Sequence, residues 1–331
     1  MDNTSLITGG AGFIGSHLAE RLIQEGHNVV VLDNLSTGHK ANLNKLLSHP
    51  RFRLVVGDVT DVQCLAPLVR HADVVFHLAA SVGVKLIVEK PLTSMMNNLR
   101  GTEVVLEQAR RWHKRILLAS TSEVYGKNPA SSFAEDDDLV YGNTNKTRWS
   151  YACAKAMDEF MAIAHYRESG LPVSVVRFFN TVGARQSNQY GMVLPTFVSQ
   201  ALRNEPITVH GTGLQSRTFT HINDTVDATY RLAMHSDAAG EVYNIGGSTE
   251  ISIIELAKLI CRRLKSTSRI DLVPYEQAFT SEQGFEDMPR RVPNCDKLDH
   301  LIKFQPQFTL TDMIDSVADY YRPVRETAAA V

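Results

Sequence analysis

Thr8-Gly9-Gly10-Ala11-Gly12-Phe13-Ile14-Gly15 follows the apolar run Ser5 to Thr8 and leads into a stretch where Ile14, Leu18, Leu22 and Ile23 share one helical face. A strand, a glycine-rich turn and a helix in that order bring backbone amides and the positive helix end towards a phosphate. Gly9, Gly12 and Gly15 have the spacing GxxGxxG. Glycine allows a tight turn and close approach of the backbone to a pyrophosphate. The expectation is a dinucleotide site in which Gly9, Gly12, Phe13, Ile14 and Gly15 cradle the phosphates.

Moving outward, Asn28 to Asp33 reads as the second strand, and Asp33 ends it eighteen residues beyond Gly15. A carboxylate there accepts hydrogen bonds from an adenosine ribose and repels a 2′-phosphate, which favours NAD; Lys40 nearby leaves NADP open. Asn34 belongs to the same corner, and Asp58 and Val59, after the third strand, are placed to bracket adenine. Further strands are expected at Arg53 to Gly57, Val74 to Ala79, Arg115 to Ser120 and Val173 to Phe179. Helical patterns lie between them, including Leu99 to Arg111 and Tyr151 to Glu168. Alternation of this kind predicts an α/β fold, a doubly wound parallel Rossmann sheet over residues 1–180.

Residues 181–331 read differently, with longer irregular stretches and helices expected at Thr225 to Met234, Ile253 to Leu264 and Leu310 to Tyr320. This half is expected to be a smaller mixed α/β region, partly interleaved with the first, lying over the carboxyl ends of the strands and holding substrate.

Of the 331 residues 44% are apolar and 21% charged, an ordinary globular balance, and the net formal charge is −2. No basic field favours nucleic acid or an anionic membrane. The N-terminal stretch has no signal-peptide pattern, and nowhere do eighteen apolar residues run together. Cys64, Cys153, Cys261 and Cys295 form neither CxxC pairs nor metal-ligand spacings, so they read as reduced thiols of a cytoplasmic protein.

Tyr151 and Lys155 stand four apart, within a turn of each other on one helical face. A phenol titrates near pH 10, so acting as a base near neutrality requires nearby positive charge. Lys155 and an oxidised nicotinamide are expected to supply it. Tyr151 then takes a substrate hydroxyl proton while hydride leaves the same carbon, and Thr121, at the end of the fifth strand, bonds the same oxygen.

TGGAGFIG, the HLAA of His77, Leu78, Ala79 and Ala80, TSEVYG at 121–126, YACAK at 151–155 and RFFNTVG at 177–183 resemble the extended short-chain dehydrogenase/reductase family. The matches run in family order across nearly the whole chain. The resemblance implies a Rossmann domain, tightly bound NAD regenerated in each cycle, a nucleotide-sugar substrate and a homodimer.

Family members that begin by oxidising carbon 4 of the sugar differ in what acts next. The resemblance sets 4,6-dehydratases at Asp-Glu where this chain has Ser122-Glu123, and 4-epimerases at small or hydroxyl residues in place of Glu123. Thr-Ser-Glu is similar instead to the UDP-glucuronic acid decarboxylases, and Asp287-Met-Pro-Arg-Arg-Val-Pro293 resembles the segment whose arginine those enzymes use, Arg291 or its neighbour Arg290 here. Decarboxylation follows because a ketone at carbon 4 makes the uronate a β-keto acid. Arg291 is expected to orient the carboxylate, with Glu123 positioning substrate or relaying a proton. By the same resemblance Asn180 and Arg217 meet the diphosphate, Arg185 meets phosphate or uronate, and His210 stands near the base. The other readings are a 4-epimerase, a dehydratase and, outside enzymes, an NAD-sensing module with the fold but no turnover.

Overall fold

The computed structural model describes residues 3–82, 91–188, 192–278 and 286–328. Six strands, β1 (Thr4–Thr8), β2 (Asn28–Asp33), β3 (Phe52–Val56), β4 (Val74–His77), β5 (Arg115–Thr121) and β6 (Val173–Phe178), pair in parallel in the order 3-2-1-4-5-6. Their sequences, such as NVVVLD and VSVVRF, are apolar on both sides because both faces of a parallel sheet are covered. Val31, Phe76, Leu117 and Val176 point into one core, with Leu18 and Leu22 of α1 (Phe13–Gln24). Leu32, Val75, Leu118 and Val175, each one residue out of phase with those, point into the other. That second core is closed by α2 (Val62–His71), α3 (Pro91–Arg111) and α4 (Arg148–Ser169). Winding reverses between β1 and β4, where the carboxyl ends open a crevice.

The expected strands are all present, and the boundaries shift for identifiable reasons. β4 stops at His77 rather than Ala79, since beyond it the chain presses on Gly9: a Cβ there would lie 2.7 Å from Ala79 N. α3 starts at Pro91, two turns before Leu99. Its early turns hide from the apolar pattern because Asn98 is buried by polar bonds, accepting from Ser81 N at 2.6 Å and donating to Ser81 O at 3.3 Å.

The later half builds short sheets and a third core. β7 (Thr181–Val182) pairs with β10 (Thr220–His221), and β8 (Ile207–His210) with β13 (Ile270–Val273). β9 (Ser216–Thr218) lies between β12 (Glu250–Ser252) and β14 (Arg290–Arg291). α5 (Val193–Leu202), α7 (Ile253–Leu264) and α10 (Leu310–Ala328) bury Leu194, Phe197, Leu256, Ile260, Ile314 and Val317 together.

This half also returns to the large sheet. β11 (Val242–Ile245) adds a seventh parallel strand beside β6, and α6 (Ile222–Met234) packs with α1 through Val226 and Leu232. Two short helices, α8 (Tyr275–Ala278) and α9 (Asp296–Ile302), complete the α-helices of the described residues. None of the described helices is long and apolar enough to cross a membrane.

Candidate active site

A cavity of about 1180 Å³ opens where the sheet reverses and runs under the later half. Its glycine wall has an uneven steric record. A Cβ on Gly15 would meet Gly9 O at 2.4 Å and Gly10 Cα at 2.7 Å, so that glycine serves the packing of turn on helix. Gly12 has an ordinary φ of −75°, and a Cβ there meets only Gly9 O, at 3.1 Å. The N-cap residue of α1, Gly12, makes no side-chain bond to the amides of the first turn. An open cradle beneath uncapped helix amides is the arrangement that accepts a pyrophosphate.

Asp33 holds the same corner. Oδ2 accepts from Ala11 N at 2.9 Å and Oδ1 from Leu35 N at 2.8 Å, and the carboxylate still lines the cavity with lone pairs beyond these two bonds. Asn34 donates to Asp58 Oδ2 at 2.8 Å, while the Thr60 amide holds the Asp58 carboxyl below its usual range. Phe13, Ile14, Val59, Leu78, Ala79 and Ala80 line this end as well. These residues fit an adenine dinucleotide with an unmodified ribose.

At the far end of the crevice Thr121 closes β5, and Tyr151 and Lys155 project from the first turns of α4. Tyr151 is 8% exposed, and its phenol is pushed up, first by burial and then by the charges of Glu123 and Asp158, against a bond with Thr121 that pulls it down. The lysine charge expected to depress it is engaged elsewhere: Lys155 Nζ donates to Asp158 Oδ2 at 2.7 Å. Burial and two carboxylates therefore prevail at the phenol.

Arg291 reaches the same chamber from β14. Its guanidinium donates to Glu123 and to Asn180 Oδ1, and Ser122, buried, lines the wall beside them. Arg290, one residue earlier, turns to the outer face and pairs with Glu250, donating at 2.7 and 2.6 Å. Successive strand residues face opposite ways, and it is Arg291 that lies in register with Arg217 of β9, which lines the cavity. The strand is held in place from outside the chamber: Met288 packs in a cluster with Trp149 and Ala152 of α4, and Phe133 N donates to Val292 O at 2.8 Å.

Arg217 donates to Asp287 Oδ1 at 2.8 Å, and His210 lines the same end, its ring pushed down by burial. Arg185 also lines the cavity, with its guanidinium tied to Ser16 and Glu20 of α1. Sequence reasoning missed three neighbours. Tyr275 packs against Gly211 and donates to Asp287 Oδ2 at 3.1 Å, and Gln215 donates to the Tyr275 hydroxyl at 3.1 Å. Asp287 had a signal, its nearness to the paired arginines; Tyr275 had none.

The chain matches the NAD dependent epimerase/dehydratase family over residues 5–246. It is 40% identical over 325 residues to a UDP-N-acetyl-alpha-D-glucosaminuronate decarboxylase of Bacillus cytotoxicus, covering 98% of this chain and 99% of that protein. With UDP-glucuronic acid decarboxylase 1 of Danio rerio it shares 36% over 316 residues, 96% of this chain and 72% of the other. A crystal structure of dTDP-glucose 4,6-dehydratase from Bacillus anthracis in complex with NAD superposes with a TM-score of 0.85 at 26% identity, covering 98% of each chain.

Proposed function

We propose that this chain, which belongs to the NAD dependent epimerase/dehydratase family, is a decarboxylase of UDP-glucuronic acid that works through a ketone at carbon 4 of the sugar. The observation that carries the reading is the Arg291 guanidinium, held by Asn180 in the chamber of Thr121 and Tyr151 and already gripping a carboxylate, that of Glu123. A uronate presents the same group, so it can take the place that Glu123 holds.

NAD, when bound, accepts hydride from carbon 4 and later returns it. Tyr151 Oη takes the hydroxyl proton from that carbon, with Thr121 bonded to the same oxygen. Arg291 binds the carboxylate and orients its bond to carbon 5 across the plane of the new carbonyl. Loss of carbon dioxide leaves the electron pair as an enolate, whose negative charge Arg291 lowers in energy. Glu123, released from Arg291 by the substrate, relays a proton from solvent to carbon 5, and when carbon 4 is reduced again Tyr151 gives its proton back to the oxygen. Arg217 and Asn180 hold the diphosphate, Arg185 stands at the phosphate end beside α1, and His210 faces the base.

Incubating the protein with NAD and UDP-glucuronic acid should release carbon dioxide and yield UDP-xylose or its 4-keto pentose; a UDP-galacturonic acid product with no gas would identify an epimerase and refute the proposal. Tyr151→Phe should keep the fold and lose about 10²–10⁴ of the rate. A second substrate, the N-acetylated uronic acid, is favoured by the 40% relative and belongs in the same assay.

The same reading extends to a homodimer. Leu92 and Met96 of α3 and Met157 and Phe160 of the adjoining α4 are exposed, Leu92 and Phe160 by 67% and 66%. Apolar surface in such a patch favours a second copy. Phe160→Glu should move the mass measured by light scattering from dimer to monomer; a parent protein that is already a monomer would refute the assembly.

A further inference from the structure

Lys155 and Asp158 form an ion pair with side chains 4% and 0% exposed. Taking two charges this far from water costs free energy that their mutual attraction only partly returns. The neighbouring acid, Glu159, is accounted for by the fold: it accepts from Arg177 at 2.7 and 3.0 Å and from Ser120, tying α4 to β5 and β6. Among the described residues Asp158 makes no such bond to the sheet. Thr102 of α3 leans on it, its Oδ1 is buried with no hydrogen-bond partner among the described residues, and its strong contact is with Lys155.

Tyr151 lies four residues before Lys155 and Asp158 three after, so both flank it on one helical face. The ammonium donates to Asp158 Oδ2, while the Lys155 side chain lines the cavity together with Tyr151. We propose that Asp158 is a positioning residue: it gives Lys155 a resting seat, which the ammonium leaves for Tyr151 and the ribose end of bound NAD before the phenol acts. This rests on the reading of Tyr151 as the proton acceptor.

The charges around the phenol come from three elements. Asp158 and Lys155 belong to α4, Glu123 to the turn after β5, and Arg291 to β14, where Glu123 engages it. His77 of β4 faces Lys155 but is neutral, its pKa pushed down to about 3 by burial and by Lys155. With the seat occupied, Lys155 and Asp158 cancel and the phenol keeps its proton. Removing the Asp158 charge leaves the ammonium uncompensated beside Tyr151.

The test uses cofactor-free protein and no nucleotide sugar, so failure of the decarboxylase reading leaves its outcome intact. Tyrosinate absorbance at 295 nm is titrated for the parent and for Asp158→Asn, each corrected by its Tyr151→Phe counterpart. The Tyr151 midpoint should fall by about one unit in Asp158→Asn, the effect of an opposite charge at close range. Calorimetry should find NAD bound several-fold more tightly, because Lys155 no longer has to be drawn off. An unmoved midpoint, or NAD affinity that is unchanged or weaker, overturns the proposal. Should Asp158→Asn not fold, the parent serves: the ¹⁵N resonance of the Lys155 ammonium, assigned by its loss in Lys155→Met, must move when NAD is added, and a stationary resonance overturns the proposal.

Discussion

One methyl group added at Gly12 and one at Gly15 should separate cofactor binding from stability. At Gly12 the new Cβ meets Gly9 O at 3.1 Å and no other heavy atom within 4 Å, and its φ of −75° suits alanine. Relief requires a few tenths of an ångström, and alanine also restricts the unfolded chain, so the net change in stability stays within about 0.5 kcal/mol. The methyl group nevertheless occupies the cradle in front of the helix amides. At Gly15 the contacts are backbone to backbone, 2.4 Å to Gly9 O and 2.7 Å to Gly10 Cα, so turn and helix must part. Overpacking of that kind costs about 1–3 kcal/mol, from which the better helix propensity of alanine takes back about 0.5–1 kcal/mol. The net loss, about 1 kcal/mol and at most about 2.5 kcal/mol, lowers Tm by about 1–4 °C for a chain of 331 residues. Calorimetric melting and NAD titration of cofactor-free protein read the two effects. Gly12→Ala should melt with the parent and lose at least about tenfold in NAD affinity, or 1.4 kcal/mol, whereas Gly15→Ala should lose both. If Gly12→Ala binds NAD like the parent, the phosphates lie elsewhere and the cofactor site has been misread.

Arg291→Met removes the guanidinium from the chamber and should cut carbon dioxide release by about 10²–10³, while Arg290→Met, which breaks an exposed pair with Glu250, should leave both the melting temperature and the gas yield intact. Equal loss in both variants would refute the assignment of the carboxylate grip. Acid should unfold the protein through its buried histidines. His77 and His17 are held at about 3 and about 4 by burial, against 6.5 in the unfolded chain. Below pH 6.5 the unfolded state binds more protons, so stability falls with pH by up to about 1.4 kcal/mol per unit for each histidine. Urea unfolding across that range should give a shallower slope for His77→Asn, and an unchanged slope would contradict the neutral imidazole.

The first six strands and the glycine turn were legible because a buried parallel strand and a phosphate turn each leave a local pattern in residue type. What escaped notice depends on partners distant in the chain. β11, from Val242 to Ile245, is four residues long and acquires its meaning only beside β6. The opening turns of α3 are masked by a buried asparagine, Asn98, that bonds a loop rather than facing water. Matching of the segment selects Arg291 over Arg290 by a single residue; pairing with β9 separates the two by the face each presents. The cavity gathers all the residues expected to bind cofactor and substrate, yet the direction in which Lys155 points follows from Asp158, a residue that carried no motif.

Arg217 and Arg291 sit opposite each other on two hydrogen-bonded strands, so their backbones are one ladder rung, about 4.8 Å, apart. If the two arginines grip anions as proposed, their common rung makes them a caliper: the span between the diphosphate and the acid of a ligand would be gauged by the sheet and not by loops. The tandem arginines also make the caliper forgiving of a copying error. Gain of one residue in the segment before β14 would bring Arg290 into the place opposite Arg217, and the inward side chain would still be an arginine.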